Sequence, residues 1–256
     1  MSCPDVGSGR WSYRLVVSSR NDRIANVIRP VVIGLSVAGA FTSGVLSPPN
    51  ALAVSHERTQ YIAPSAQSAA TMLRLGSRGA AVRELQGSLA RLTYLPYSGV
   101  DGVFGMQTWH AVVAFQGWSG LTRDGIVGPL TLGALSHSRA PAPWSRATGF
   151  EIHVPQQVLL LVRAGRVQRA VHVSTGAGGR TPLGHFHVYR RERLSWSVPF
   201  HVWMPLAQYF SGGYAMHQFA SVPADPASHG CVRVPDVEAR TVWQFGAVGM
   251  RVWTRA

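Results

Sequence analysis

The chain has 256 residues, which is enough for one large domain or two small ones. Hydrophobic residues make up 46% of the sequence and charged residues only 14%, a composition that excludes a disordered acidic chain and a coiled coil. The net charge of +13 favours an anionic partner, but the arginines that carry it are spread along the chain rather than clustered. We therefore predict no specific binding of nucleic acid.

The first 53 residues have the pattern of an export signal. Five arginines precede a mildly apolar run from Val31 to Leu46, and Ala51-Leu52-Ala53 follows it as a small-residue processing site. The alternative is an uncleaved membrane anchor, which is disfavoured because the run is shorter than a membrane span and is interrupted by glycine, serine and threonine. We predict a signal peptide or membrane anchor over residues 1–53, a polar tether over 54–71, and a secreted, extracytoplasmic chain.

Cysteine usage singles out one thiol. Cys3 lies in the predicted signal, so Cys231 is the sole thiol of the exported chain and no intrachain disulfide can form. Such a thiol is either a buried structural residue or a reactive one, and the residues around it in the sequence distinguish the two.

Helical patterns begin at Leu73. Apolar residues recur at helical spacing from Val82 to Leu92 and again from Trp109 to Gln116, and a third helix is predicted at about 129–135. The segments Asp101–Thr108 and Asp124–Thr131 share the pattern D-G-[VI]-[FV]-G-x-x-T. Each copy is predicted to form a turn that begins a helix, because glycine permits positive φ and Pro129 suits a first helical turn.

These residues resemble the type 1 peptidoglycan-binding domain. The resemblance covers residues 72–135 and includes Leu75-Gly76-Ser77-Arg78-Gly79, Leu85-Gln86, Phe115-Gln116, Gly120-Leu121 and both repeat copies. It implies a small three-helix bundle that holds an enzyme on cell-wall polymer. A helical spacer without a ligand is the alternative.

The remainder of the chain is predicted to be mostly β. Residues 136–148 form a Pro/Ala/Ser linker, and the catalytic domain is predicted over 149–256. Strand patterns cover residues 150–154, 158–162, 167–173, 185–189 and 250–253, with one helix at about 235–245. The predicted fold class is therefore α+β, a three-helix bundle followed by a mostly β domain.

Reactive residue types converge on His217 and on Ser228-His229-Gly230-Cys231-Val232-Arg233. A cysteine acts as a nucleophile in its thiolate form and needs a base, for which His217 and His229 are the two candidates. Gly230 permits a strained turn that aims successive N–H groups, those of Gly230, Cys231 and His229, at the oxyanion of a tetrahedral intermediate.

This constellation resembles the L,D-transpeptidase (YkuD-like) catalytic domain. The family pattern is a histidine, a spacer, [S/T]-H-G-C, a hydrophobic residue, and Asn or Arg; Thr181-Pro182-x-Gly184 and the segment 209–215 also match. The resemblance implies that Cys231 is the acyl-accepting nucleophile and His217 its general base. It implies supporting roles for Ser228, His229 and Gly230, substrate binding by Gly213, Tyr214 and Arg233, and no cofactor or metal.

Two departures from the family pattern affect the surroundings of His217. The spacer between His217 and Ser228 is shorter than in many members, and Gln218 stands where glycine or serine often follows the histidine. The first affects the loop geometry and the second the group that orients His217.

The resemblance also implies the reaction. Cys231 attacks a peptidoglycan tetrapeptide stem, D-alanine leaves, and an amine of a neighbouring stem takes the acyl group to form a 3→3 cross-link. The alternatives are hydrolysis by water, as in an L,D-carboxypeptidase, and a non-catalytic wall-binding protein. The implied partners are the stem peptides and glycan of the bacterial cell wall, and we predict a monomer.

A zinc enzyme is the alternative from another chemical class. His185-x-His187 would place two imidazoles on one face of a strand, and His229-x-Cys231 could add ligands. The sequence contains no H-E-x-x-H motif, which disfavours this alternative.

Overall fold

The computed structural model describes residues 72–256, so the predicted signal or anchor and the tether lie outside the described residues. Three helices come first: α1 Ala80–Arg91, α2 Met106–Trp118 and α3 Pro129–His137. Nine strands and a fourth helix follow: β1 Gly149–His153, β2 Val158–Arg163, β3 Arg166–His172, β4 Gly184–His187, β5 Arg190–Ser197, β6 Val202–Ser211, β7 Tyr214–Gln218, β8 Val232–Val234, α4 Asp236–Phe245 and β9 Arg251–Arg255. This order confirms the predicted α+β class. Within residues 72–256, no helix has both the length and the apolar character that a membrane span requires.

Two sheets make up the β part. One has five strands in the order β3-β2-β1-β9-β4, and the other has four in the order β5-β6-β7-β8. The pairs β1/β9 and β7/β8 are parallel, and the other neighbouring strands are antiparallel. Apolar side chains of both sheets and of α4 form one core, which includes Phe150, Leu159, Phe210, Met216 and Val242.

The strands β5 and β6 were not located from the sequence. The first half of β5 carries Arg190, Arg191 and Arg193. Its second half reverses the usual alternation, because Leu194 and the paired Trp196 and Trp203 are exposed whereas Ser195 and Ser197 are buried. A strand is recognised in a sequence by apolar residues at its buried positions, so this hairpin lacks the usual signal.

The two repeat copies are built around equivalent buried glutamines. In the first copy, Gln86 Nε2 lies 2.8 Å from Asp101 Oδ1 and 2.9 Å from Thr108 Oγ1, and also donates to the Val103 carbonyl. Gln86 Oε1 accepts from the Gly102 N–H at 2.7 Å. One side chain therefore fixes the turn and the start of α2.

The second copy repeats this arrangement around Gln116. Its Nε2 donates to Asp124 Oδ1 at 2.8 Å and to the Ile126 carbonyl, and lies 3.4 Å from Thr131 Oγ1. Its Oε1 accepts from the Gly125 N–H at 2.9 Å. The internal repeat that the sequence shows is therefore also a repeat of hydrogen bonds.

The helical bundle shares its core with the five-stranded sheet. The helix α2 lies between α1 and the face of β2 and β3 that points away from the other sheet, so almost all of its circumference is buried. Val158, Leu160, Val162 and Ala170 of the sheet belong to the same apolar cluster as the helices. The Ala170 N–H also donates to the Thr93 carbonyl at 2.9 Å.

The predicted linker is attached to the sheet. The N–H groups of Trp144 and Ser145 donate to the carboxylate of the buried Glu151, and the Trp144 ring stacks on His153 with the ring centroids 3.7 Å apart. The helix α3 continues to His137, so the first two residues of the predicted linker, Ser136 and His137, belong to this helix. The connection between bundle and sheet is therefore fixed by specific contacts.

Two buried histidines meet where the bundle contacts the sheet. The Nδ1 atoms of His110 on α2 and His172 on β3 are 2.8 Å apart, so one ring donates and the other accepts, and both are neutral. Burial lowers the pKa of both rings below the ordinary value of 6.5; nearby Asp236 opposes the shift at His110, whereas His110 itself adds to the shift at His172.

The glycine at position 117 tests the contact between bundle and sheet. A Cβ there would lie 2.3 Å from the Gln156 carbonyl oxygen, whereas a Cβ at Gly87 in α1 would meet no atom within 4 Å. We expect Gly117→Ala to lower the free energy of unfolding by about 1–3 kcal/mol through overpacking. The control, Gly87→Ala, should raise it by about 0.5–1 kcal/mol because alanine is the better helix former. Equal changes in the free energy of unfolding for the two variants, measured by urea unfolding, would contradict the close contact between α2 and Gln156.

The histidine pair predicts acid sensitivity. Because the folded-state pKa values lie below the unfolded value, the unfolded chain binds more protons, and stability should fall as the pH drops below about 6.5. His110→Gln keeps a hydrogen-bonding partner for His172 but removes one titrating group. Urea unfolding between pH 7 and pH 4 should show a weaker pH dependence in this variant, and an unchanged dependence would exclude His110 as a source.

Candidate active site

The parallel pairing of β7 with β8 brings the two predicted reactive side chains to one place. His217 on β7 is paired with Arg233 on β8, and Met216 is paired with Val232. Cys231 immediately precedes β8 and packs against Met204 and Ala215 of the same sheet. The register therefore places the thiol and the imidazole on adjacent strand ends, and both line one cavity.

The turn before Cys231 is held by its own side chains. Ser228 Oγ donates to the Cys231 carbonyl at 2.5 Å and accepts from the Gly230 N–H at 3.0 Å. Thr181 Oγ1 donates to the Gly230 carbonyl at 2.9 Å. Ser228 is buried, and its hydroxyl makes both of these hydrogen bonds within the turn.

Gly230 is required on two grounds. Its φ of +135° lies in the region that side chains with a Cβ rarely adopt, and a Cβ there would lie 2.2 Å from Tyr214 Cε1. The Tyr214 ring therefore packs directly on the turn. The Gly230 N–H donates to Ser228 Oγ at 3.0 Å, and the amides of Gly230, His229 and Cys231 stay predicted oxyanion donors.

His217 is buried and held in one tautomer. Its Nδ1–H donates to the Gln218 carbonyl at 2.9 Å, which leaves the Nε2 lone pair available as a base. Burial lowers the pKa of His217 to about 4; the bond to Gln218 opposes the shift and nearby Arg233 adds to it. The side chain of Gln218, which differs from the family pattern, donates to Asp236 at 3.1 Å. The backbone carbonyl of Gln218, and not its side chain, therefore orients the imidazole.

The thiol of Cys231 is partly buried, with Sγ 4.0 Å from the Gly213 carbonyl oxygen. Burial raises the pKa of Cys231, against smaller opposing effects of the Ala215 backbone and of Arg233. The imidazole and the thiol are therefore both neutral at neutral pH.

Two cavities meet at Cys231. The smaller one, of about 180 Å³, is lined by His217, Ser228 and Arg233, and the Arg233 guanidinium lies 4.3 Å from the Phe219 ring centroid. The larger one, of about 470 Å³, is lined by Gly213, Tyr214 and Arg190. The following residues line both cavities: Ser197, Phe200, Met204, His229 and Cys231.

The β5–β6 hairpin forms one wall of the site. Phe200 at its tip stacks on the exposed His229 ring, with centroids 4.3 Å apart and planes 19° apart. Phe200, Met204 and Arg190 were missed by the sequence reasoning because the hairpin itself was not located. The structure thus brings together all eight predicted site residues and adds an aromatic wall to them.

The alternative zinc site has no counterpart in the described residues. His185 and His187 are exposed on β4, an edge strand of the five-stranded sheet, and His185 packs edge-on against Trp253. His229 and Cys231 belong to the other sheet. Within residues 72–256, no three histidine, cysteine, aspartate or glutamate side chains form a group that could hold a metal ion.

Comparison with known proteins identifies both parts of the chain. Residues 78–135 match the family model of the peptidoglycan binding domain, and residues 148–253 match that of the L,D-transpeptidase catalytic domain. A crystal structure of an L,D-transpeptidase from Xylanimonas cellulosilytica is 39% identical, with a TM-score of 0.67, and the match covers 72% of this chain and 97% of that one. The chain belongs to the L,D-transpeptidase family and carries a peptidoglycan-binding domain.

Curated relatives are similar over shorter stretches. A probable N-acetylmuramoyl-L-alanine amidase of Bacillus licheniformis is 40% identical over 79 residues, which are 30% of this chain and 22% of the amidase. An uncharacterised protein of Kitasatospora aureofaciens is 47% identical over 68 residues, 26% of this chain and 56% of that protein. The chain therefore spans about a fifth and about half of the length of these two relatives.

The neutral thiol–imidazole pair predicts the pH dependence of thiol alkylation. Because burial raises the pKa of Cys231 above 9.0, the rate of alkylation by iodoacetamide should still rise as the pH passes 9. A thiolate–imidazolium pair would give a plateau near neutral pH instead. In the absence of substrate, the pH profile of the alkylation rate should show no step near pH 7 in either the native protein or His217→Ala. A plateau near neutral pH in the native protein would contradict this description.

Proposed function

We propose that this protein is an exported L,D-transpeptidase that uses Cys231 as its nucleophile and peptidoglycan tetrapeptide stems as its acyl donors. The observation that carries the proposal is the shared cavity of Cys231 and His217, with the Nδ1–H of His217 bonded to the Gln218 carbonyl and its Nε2 left as the base. Family membership supplies the reaction class, and the geometry supplies the groups that the reaction needs.

The first half-reaction begins from a neutral pair. As Sγ of Cys231 attacks the carbonyl before the terminal D-alanine, Nε2 of His217 takes the thiol proton, so the ions form only when the substrate is present. The oxyanion of the tetrahedral intermediate accepts from the amides of His229 and Cys231. The imidazolium then gives its proton to the amine of D-alanine, the C–N bond breaks, and a thioester remains on Cys231.

The second half-reaction uses the same base. His217 takes a proton from an acceptor amine as that amine attacks the thioester, and the proton returns to Sγ when the C–S bond breaks. A side-chain amine of a neighbouring stem yields a 3→3 cross-link, whereas water yields hydrolysis. Arg233 lines the cavity that contains His217 and is the proposed partner of the carboxylate on the departing D-alanine.

The proposed organisation places the enzyme at the cell wall. The peptidoglycan-binding domain over residues 72–135 holds it on insoluble polymer, the segment 136–148 connects to the catalytic domain over 149–256, and residues 1–71 export and tether it. The net charge of +13 favours retention on anionic wall polymer.

Intact-protein mass spectrometry tests the proposal. The purified protein is incubated with a disaccharide-tetrapeptide, and acyl adduct, released D-alanine and new dimer are followed together. We expect an adduct in the native protein and none in Cys231→Ala, because the thioester requires the thiol. His217→Ala should slow acylation by about 10²–10⁴-fold, the usual contribution of a general base.

The products separate the alternatives. Dimer formation supports transpeptidation, and tripeptide without dimer indicates a carboxypeptidase. Carbapenem acylation provides a second donor, which should modify the native protein and spare Cys231→Ala. An adduct that persists in Cys231→Ala would show the wrong nucleophile, and a folded protein with an intact thiol but neither adduct nor D-alanine release would contradict the proposed function.

A further inference from the structure

The larger cavity at Cys231 has an uneven distribution of charge. Its walls are mostly aromatic and apolar and include Trp196, Phe200 and Tyr214. Among the described residues that line it, Arg190 is the only one that carries a permanent charge. A cavity of this composition suits a ligand that is apolar over most of its surface and has one anionic group.

The guanidinium of Arg190 is held in place before any ligand binds. It lies over the ring of the buried Tyr209, with Cζ 4.0 Å from the ring centroid. The Tyr209 hydroxyl is fixed by Ser195 Oγ at 2.7 Å. Stacking occupies a flat face of the guanidinium and leaves the N–H groups at its edge available to an anion.

A neighbouring carboxylate competes only weakly for these N–H groups. Glu192 Oε1 lies 3.4 Å from Arg190 Nη1, a distance longer than a good charge-assisted hydrogen bond. The side chain of Arg190 is 50% exposed and that of Glu192 is 35% exposed, so solvent screens the pair. A ligand carboxylate with two aligned oxygens would bind the fork of the guanidinium more strongly.

The position of His217 shows which part of the substrate reaches Arg190. His217 lines the smaller cavity and is absent from the lining of the larger one. In the proposed reaction, both the leaving D-alanine amine and the acceptor amine exchange a proton with His217, so both belong on the side of the smaller cavity. The acyl part of the donor then extends from Cys231 into the larger cavity.

We propose that Arg190 forms a carboxylate-binding subsite for the acyl part of the donor stem peptide, and that it selects donors with a free carboxylate over donors with a carboxamide. The subsite rests on the proposed function, because it assumes that Cys231 is the acylated residue. A guanidinium binds a carboxylate through two parallel charge-assisted hydrogen bonds, which a neutral amide cannot reproduce.

Two matched donors test the subsite. One is a tetrapeptide whose diamino-acid residue carries a free side-chain carboxylate, and the other is its carboxamide. Iodoacetamide labelling first establishes that the Cys231 thiol is fully reactive in the native protein and in Arg190→Gln. The rate of Cys231 acylation by each donor is then measured in both proteins. For the carboxylate donor, Arg190→Gln should lower kcat/KM by about 10–100-fold, mainly through KM; for the carboxamide donor, the change should be less than about threefold.

Arg193→Gln is the matched control, because Arg193 is exposed on the same strand and is not among the residues that line either cavity. It should leave both donors unaffected, whereas Arg190→Lys should restore part of the preference for the carboxylate donor. Equal losses for the two donors in Arg190→Gln would overturn the subsite while leaving the proposed function intact. Absence of Cys231 acylation with both donors in the native protein would overturn both.

Discussion

The parallel pairing of β7 with β8 is the constraint on which the site depends. These two strands are separate in sequence, yet their register sets His217 beside the turn that ends at Cys231. The turn keeps its shape through Ser228, through Thr181 and through a glycine that no other residue can replace without meeting Tyr214. The placement of the proposed nucleophile and base therefore follows from backbone pairing and packing.

Burial has a chemical effect in this site as well as a structural one. The same packing that fixes His217 and Cys231 keeps both of them neutral, since it lowers the pKa of the imidazole and raises that of the thiol. A thiol in its protonated form reacts slowly with oxidants. In the proposed mechanism the thiolate forms only when an acyl donor fills the cavity, which limits oxidation of Cys231 before the donor binds.

The sequence was most informative where a local backbone conformation or a reactive group requires one particular residue type. Gly230 and Cys231 could be singled out because a glycine turn before the one cysteine outside the predicted signal has few structural explanations, and the D-G repeats marked turns that the structure shows. The β5–β6 hairpin could not be located, because Trp196 and Trp203 are exposed while Ser195 and Ser197 are buried, which reverses the usual alternation of apolar and polar residues. The packing of the helical bundle on the five-stranded sheet could not be predicted either. Gly117 and His110 have ordinary neighbours in sequence and acquire their contacts only through long-range packing.

The buried surface between α2 and the strands β2 and β3 also limits how this protein could have been assembled during evolution. A wall-binding module on a free linker can be exchanged for another by recombination, because neither partner loses apolar contacts. Here an exchange would expose Val158, Leu160 and Val162 to water and leave His172 without its partner. Changes in wall specificity must therefore arise by substitution on the outer surface of the existing bundle, while the face toward the sheet is preserved.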